Sequence, residues 1–144
     1  VIKEGTRFFN SNAIASIVFE DGEMLKKLDD IIHPAVKKYI LKEIEKSKKE
    51  ETEFFFIESA LLLEEKYDEI CDEMWYIYCE KEVRMERLRH DRGYSDEKIQ
   101  RMMANQLPDE EFEARCDFQL YNDEDVAHTY LQIERKMRTY YEFM

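Results

Sequence analysis

The stretch Met74–Gln100, MWYIYCEKEVRMERLRHDRGYSDEKIQ, changes its hydrophobic pattern twice. Met74–Cys79 is a dense run of apolar and aromatic residues, of the length and composition of a buried strand. Val83 and Leu88 then suggest a helix, and Gly93 breaks it. Ser95 begins a second helix, because its hydroxyl can accept an orphan backbone amide while Asp96 and Glu97 favour the positive helix end. Ile99, Met102 and Met103 are expected to face inward.

Working outward, Phe54–Ile57 and Asp117–Tyr121 are two further strand-length runs. Pro34 suits the first position of a helix that follows His33 and carries Val36, Ile40 and Ile44 on one face. Lys46, Lys48 and Lys49 then lie at its negative end. Pro108 starts another helix. Asn122 is expected to cap the last one, whose stripe is Val126, Tyr130, Ile133, Met137 and Tyr140. That stripe is read as core. Alternating strands and helices imply parallel strands joined by crossovers, so the class is α/β.

With 144 residues, 44% of them hydrophobic, the chain is sized for one packed domain. Its three glycines and two prolines argue against an all-β architecture. The net charge of −12 would repel phosphate over most of the surface, which argues against a nucleic-acid partner. No apolar run reaches the length of a membrane helix, and no signal peptide is visible. Cys71, Cys79 and Cys116 form no CxxC pair, so neither a disulfide framework nor a zinc site is expected, and a reducing cytoplasm fits. His33, His90 and His128 have no ligand spacing, and no metal-binding residues are assigned.

Against this acidic background, Arg84, Arg87, Arg89, Arg92, Lys98 and Arg101 face only Glu86, Asp91, Asp96 and Glu97 within their own window. Two readings stay open for this patch. One is a solvated helix pair with surface ion pairs such as Arg87 to Asp91. The other is an anion site, since arginine's planar fork suits phosphate and keeps its charge. Glu58, at the end of an apolar run, is either an ordinary strand-end acid or a ligand-side carboxylate. His33 either caps its helix or contacts a ligand.

Four segments, taken in order, resemble the dephospho-CoA kinase family. They are SIVFEDGEMLKKLDDIIHPAVKKYI (Ser16–Ile40), FFFIESALLLEE (Phe54–Glu65), RLRHDRGYSDEKIQRMMANQLPDEEF (Arg87–Phe112) and CDFQLYN (Cys116–Asn122). Several positions depart from the family pattern. Glu58 stands for an aspartate, Ala60 for a proline, Phe112 for a basic residue and Cys116 for an alanine. The lid's usual Arg-Asp order is here Asp91-Arg92.

The resemblance implies a P-loop NTPase-like parallel sheet flanked by helices, with a helical substrate-binding region and a lid. Within a single domain 1–144, it implies a helical substrate region at about 10–50, core strands within 53–79, a lid at 81–106, and a final strand and helix in 107–144. It further implies ATP-dependent phosphorylation of the ribose 3′-hydroxyl of dephospho-CoA, in the cytoplasm. Arg89 and Arg92 would act in catalysis, and Arg87, Arg92, Arg101 and Asn122 in binding ATP. His33, Glu58, Leu62 and Glu64 would lie against dephospho-CoA, and Arg101 and Gln106 would match a family Arg/Gln pair. Mg2+ is the implied cofactor, with its main ligands in an N-terminal portion.

Glycines stand only at positions 5, 22 and 93, so no GxxxxGK[ST] loop can be written. The P-loop strand is therefore expected to be missing. The initial Val1 suggests that an N-terminal portion is absent, and the 144 residues alone are expected to be inactive. A non-catalytic nucleotide- or CoA-binding relative, a protein-interaction relative, and another nucleoside-monophosphate-type kinase remain alternatives. Oligomeric state is not assigned.

Overall fold

The computed structural model describes residues 21–142, together with the backbone of Ile2–Lys3 and Thr6–Arg7. The chain divides into two compact units, Val1–Ile57 and Glu58–Met144.

In the first unit, β1 (Ile2–Lys3) and β2 (Thr6–Arg7) pair antiparallel, with Ile2 opposite Arg7. The rest of its described part is dominated by one long helix, α1 (Gly22–Lys49). The expected helix start at Pro34 is corrected. Asp21 caps the helix twelve residues earlier than His33, its carboxylate accepting from the amides of Glu23 (2.9 Å) and Met24 (3.3 Å). Pro34 therefore lies inside the helix, and a real N-cap outweighs the preference of proline for the first turn. The basic end at Lys46, Lys48 and Lys49 is as read. Residues 8–20, which include the front of the Ser16–Ile40 segment, lie outside the described residues.

Phe54–Ile57 is not a strand. A strand needs a ladder partner, and no described segment pairs with it. Phe54 and Phe56 stack on each other at 6.1 Å, and Phe55 and Phe56 are exposed.

The second unit is built on β3 (Trp75–Tyr78) and β4 (Phe118–Tyr121), which pair in parallel as expected. Trp75 lies opposite Phe118 and Tyr78 opposite Tyr121. The same pairs make edge-on ring contacts at 5.0 and 5.6 Å, so the register is set by the aromatic residues that signalled the strands. At one end, the Asp117 amide donates to the Met74 carbonyl and the Met74 amide to the Asp117 carboxylate, both at 2.8 Å. At the other end, the Asn122 amide donates to the Tyr78 carbonyl at 2.8 Å.

Between these strands run α2 (Lys81–Arg92), α3 (Asp96–Ala104) and α4 (Asp109–Arg115). α5 (Val126–Tyr141) follows β4 and packs on it. The core of the described residues is Leu63, Tyr67, Met74, Tyr76, Ile99 and Leu120. Of the inward positions read on α3, Ile99 is fully buried while Met102 is exposed. On α5, Val126 and Tyr130 are exposed. Ile133, Met137 and Tyr140 are half-buried, and the sheet-facing side also carries Gln132, whose amide spans the Tyr121 backbone: Nε2 donates to the carbonyl at 2.8 Å and Oε1 accepts from the amide at 3.0 Å. Among the described helices, none is long and apolar enough to cross a membrane.

Glu73, just before β3, ties the sheet to the far end of α5. Its carboxylate accepts from Lys136 Nζ (2.7 Å), the Tyr140 hydroxyl (2.7 Å) and the Trp75 indole (2.9 Å). Burial alone would raise the Glu73 carboxyl, but these donors outweigh it and hold it below the ordinary range. The stabilisation is therefore fully present above the unfolded Glu value of about 4.3 and is lost as pH falls through the lower folded value. Glu73→Gln is expected to cost about 1–2 kcal/mol in chemical denaturation at neutral pH. The gap between wild type and variant should close on acidification below pH of about 4.

Candidate functional site

The helical corner between α2 and α3 is shaped by backbone chemistry. Gly93 adopts a left-handed conformation (φ 63°), which a side chain would disfavour, and so turns the chain out of α2. Its amide donates to the Arg89 carbonyl at 3.0 Å, and the Tyr94 amide donates to Leu88 at 3.3 Å. Ser95 then caps α3 as read, its hydroxyl accepting from the Lys98 amide at 3.4 Å. Lys98 in turn places its ammonium 3.4 Å from the Tyr94 ring centre. α2 and α3 pack against each other across this corner.

The arginines of this region differ sharply in their commitments. Arg87 points inward and does not pair with Asp91. Its guanidinium donates to the backbone carbonyls of Asn122, Asp123 (3.3 Å) and Glu124 (3.2 Å), and lies 3.7 Å from Cys79 Sγ. It thus holds the turn between β4 and α5. Arg89 is paired with Asp96, whose hydrogen bond raises the guanidinium pKa further. Arg101 bonds back to the Glu97 carbonyl at 3.3 Å. Arg92, the last residue of α2, is exposed and has no ion pair or side-chain hydrogen bond among the described residues. Its neighbour Asp91 is held by His90 at 2.8 Å, which raises the imidazole pKa.

Asn122 closes β4, but it is not the cap of the last helix. Asp125 is, accepting from the His128 amide at 2.8 Å. The aspartate three residues on has the geometry because Asn122 is spent on the sheet and on Thr129, whose hydroxyl donates to its side chain at 3.3 Å. Gln106 is exposed in the turn after α3, with its amide donating to Met103 at 3.2 Å.

The other assigned residues fall in different places. His33 is inside α1 rather than at a helix start, with Nε2 3.7 Å from Asp29 one turn earlier. Glu58 is exposed and opens the second unit, not a strand end. Leu62 is half-buried, its carbonyl accepting from Tyr67 at 2.8 Å, and Glu64 is exposed. The Glu58–Glu65 stretch is a series of turns, begun by Ser59 accepting from the Leu61 amide at 3.1 Å. Arg115 of α4 secures it, donating to Asp68 (2.7 Å) and the Leu63 carbonyl (3.4 Å).

Two residues of the site region were not singled out by the sequence. Tyr76 is buried in β3 and donates its hydroxyl to Asp109 at 2.7 Å. Asp109 also lies 3.9 Å from Arg84 of α2. Burial and the adjacent carboxylate push the Tyr76 phenol well above its ordinary value. The available signal was weak: an aspartate behind Pro108 looks like any helix-start acid. Among the described residues, no group of three or more His, Cys, Asp and Glu could hold a metal ion.

This is an α/β protein with a small parallel sheet and an arginine-bearing helical corner in the crossover between its strands. Solved structures share that fold. A Thermus thermophilus protein superposes with a TM-score of 0.72 at 24% identity, over 90% of this chain and 66% of that one. A dephospho-CoA kinase from Campylobacter jejuni gives 0.69 at 22% identity, over 95% and 67%. The chain belongs to the dephospho-CoA kinase family, whose model matches residues 3–128. The dephospho-CoA kinase of Aquifex aeolicus is 36% identical over 122 residues, 85% of this chain and 61% of that protein. That of Prochlorococcus marinus is 31% identical over 136 residues, 93% and 64%. The chain thus spans about three fifths of the length of these curated relatives.

Removing the Arg87 guanidinium strands three carbonyls at the β4–α5 turn. Arg87→Ala is expected to cost about 2–3 kcal/mol in denaturant unfolding. It should also speed amide exchange selectively at residues 122–129. Arg87→Lys should not restore protection, because one ammonium cannot reproduce the fork.

Proposed function

We propose that this chain forms the lid and the acceptor side of a kinase that transfers the γ-phosphoryl group of ATP to the ribose 3′-hydroxyl of dephospho-CoA, the last step in making CoA. Family membership supports the reaction class. The observation that carries the site is Arg92, an exposed guanidinium without an ion pair or side-chain hydrogen bond among the described residues, at a corner built by Gly93 and Ser95. In a chain of net charge −12, such a group is best explained by an external anion.

In this reading, Arg92 meets the ATP phosphates directly. Arg89 joins it by exchanging Asp96 for phosphate, and Arg101 lines the same corner from α3. Charge that develops on the transferring group and on the departing ADP is neutralised by these forks. The acceptor hydroxyl gives up its proton to water as its oxygen bonds to phosphorus, while the bond from the γ-phosphorus to the β–γ bridging oxygen breaks and ADP leaves with that electron pair. Asn122 lies on the adenine side. Arg87 contributes there by holding the turn after β4, with its hydrogen bonds already given to backbone carbonyls. His33, Glu58, Leu62 and Glu64 are assigned to the dephospho-CoA side. ATP and dephospho-CoA are the partners in this reading, with no nucleic acid or membrane, in the cytoplasm.

Residues 1–144 contain no glycine-rich phosphate loop. Transfer therefore requires phosphate-cradling groups that these residues do not contain, and the 144 residues alone should be inactive. The alternative is a relative that binds a nucleotide or CoA without transfer.

The test is CoA formation by the complete natural protein from ATP and dephospho-CoA, compared with nucleoside monophosphates as acceptors. Product from dephospho-CoA alone supports the proposal. Preference for a monophosphate makes it another nucleotide kinase, and binding without product supports the non-catalytic reading. Arg92→Ala should lower kcat on the order of 10²–10³-fold and leave the thermal transition unchanged. Unaltered turnover would remove Arg92 from the site.

A further inference from the structure

The α2–corner–α3 segment is closed at its base by one carboxylate. Asp109, the first residue of α4, accepts from the buried Tyr76 hydroxyl through Oδ1 at 2.7 Å. Its Oδ2 lies 3.9 Å from Nη2 of Arg84, in the first turns of α2. Tyr76 is held in turn by Phe112, whose ring stacks on it at 4.9 Å and 14°, and by the edge of Tyr78 at 5.9 Å. Phe112 stands one turn after Asp109 on the same short helix, so α4 meets β3 through both a hydrogen bond and a ring face. Arg84 and Asp109 therefore bracket everything between them, including Arg89, Arg92 and Arg101.

The two contacts of Asp109 are unequal. The bond to Tyr76 is short, from a buried donor. The approach to Arg84 is long, and Arg84 Nε is a buried donor without a hydrogen-bond partner among the described residues. One side of the joint is thus tight, and the other has a donor in reserve.

We propose that Asp109 is a positioning residue. Anchored on β3 through Tyr76, it sets the angle of α2 through Arg84, and so fixes where the exposed arginine corner stands relative to the sheet. Tyr76 and Phe112 are the anchor, Asp109 the pivot, and Arg84 the arm. The residue touches no substrate and acts through Arg92.

The catalytic readout rests on the kinase reading, so the test has two arms in the complete protein. The first needs no substrate: amide exchange in Asp109→Asn and Arg84→Gln. Asn keeps an acceptor for Tyr76 and removes the charge that faces Arg84. Both variants should speed exchange at residues 89–99 about tenfold and leave 118–121 unchanged. Unchanged exchange at the corner overturns the proposal, as does equal loss of protection across β4.

The second arm is kinetic. Asp109→Asn should lower kcat about tenfold with KM for the phosphate acceptor unchanged, and Asp109→Glu should recover part of the loss. In an Arg92→Ala background the same substitution should cost less than twofold, because the group being positioned is gone. An equal loss in both backgrounds would mean that Asp109 acts other than through Arg92, and overturns the proposal. A complete protein that makes no product from dephospho-CoA defeats the functional reading, while the exchange arm still decides the joint.

Discussion

The parallel pairing of Trp75–Tyr78 with Phe118–Tyr121 is the constraint on which the second unit depends. Two parallel strands cannot be joined by a tight turn, so the intervening chain must leave one end of the sheet and return to the other. Here the return contains α2, α3 and α4. The pairing is short, and both ends are reinforced: Asp117 and Met74 exchange two hydrogen bonds at the start, and Asn122 extends the ladder to Tyr78 at the finish. Ring contacts between register partners add specificity, because a slip by one residue would part Trp75 from Phe118 and Tyr78 from Tyr121. With the ladder set, Glu73 can reach Lys136 and Tyr140 at the far end of α5, and Arg87 can reach the turn beyond β4.

The same framework divides the arginines by function. A guanidinium within reach of several carbonyls is worth more inside the fold than at its surface, where ion pairs are screened by water. Arg87 is of this interior kind and fastens the β4–α5 turn, while the exposed Arg115 fastens the turns around Leu63 through one carbonyl and the Asp68 carboxylate. Arg89 and Arg101 are committed locally, to Asp96 and to the backbone of Glu97. Arg92 is exposed and has no ion pair or side-chain hydrogen bond among the described residues. Of the other two basic residues in the window, Arg84 approaches Asp109 and Lys98 lies over the Tyr94 ring.

Much of this was legible in the sequence, and the reasons are local. Met74–Cys79 and Asp117–Tyr121 identified their strands through aromatic density, and Ser95 identified the start of α3 by its capping chemistry. Gly93 marked the corner because a left-handed residue favours glycine. The misread elements were decided by residues beyond the stretch that was read. Phe54–Ile57 has strand composition but no described ladder partner. Pro34 has the profile of a helix start, but Asp21 had already capped the helix. The stripe on α5 holds only in part: Ile133, Met137 and Tyr140 are half-buried, while Val126 and Tyr130 are exposed and Gln132 meets β4.

The sequence by itself determined the α/β class, the order of the strands and helices around the corner, and the position of the basic patch, because period, capping and charge act over a few residues. It also carried the family likeness. Only the tertiary structure decided which arginine faces inward and which stays open, and that Tyr76, Asp109 and Arg84 meet at one joint. Arg87 is 35 residues from the Asn122 carbonyl it holds, and Tyr76 is 33 residues from Asp109. Contacts at such separations exist only after the parallel ladder has closed the chain between them, and no local pattern in the sequence can specify them.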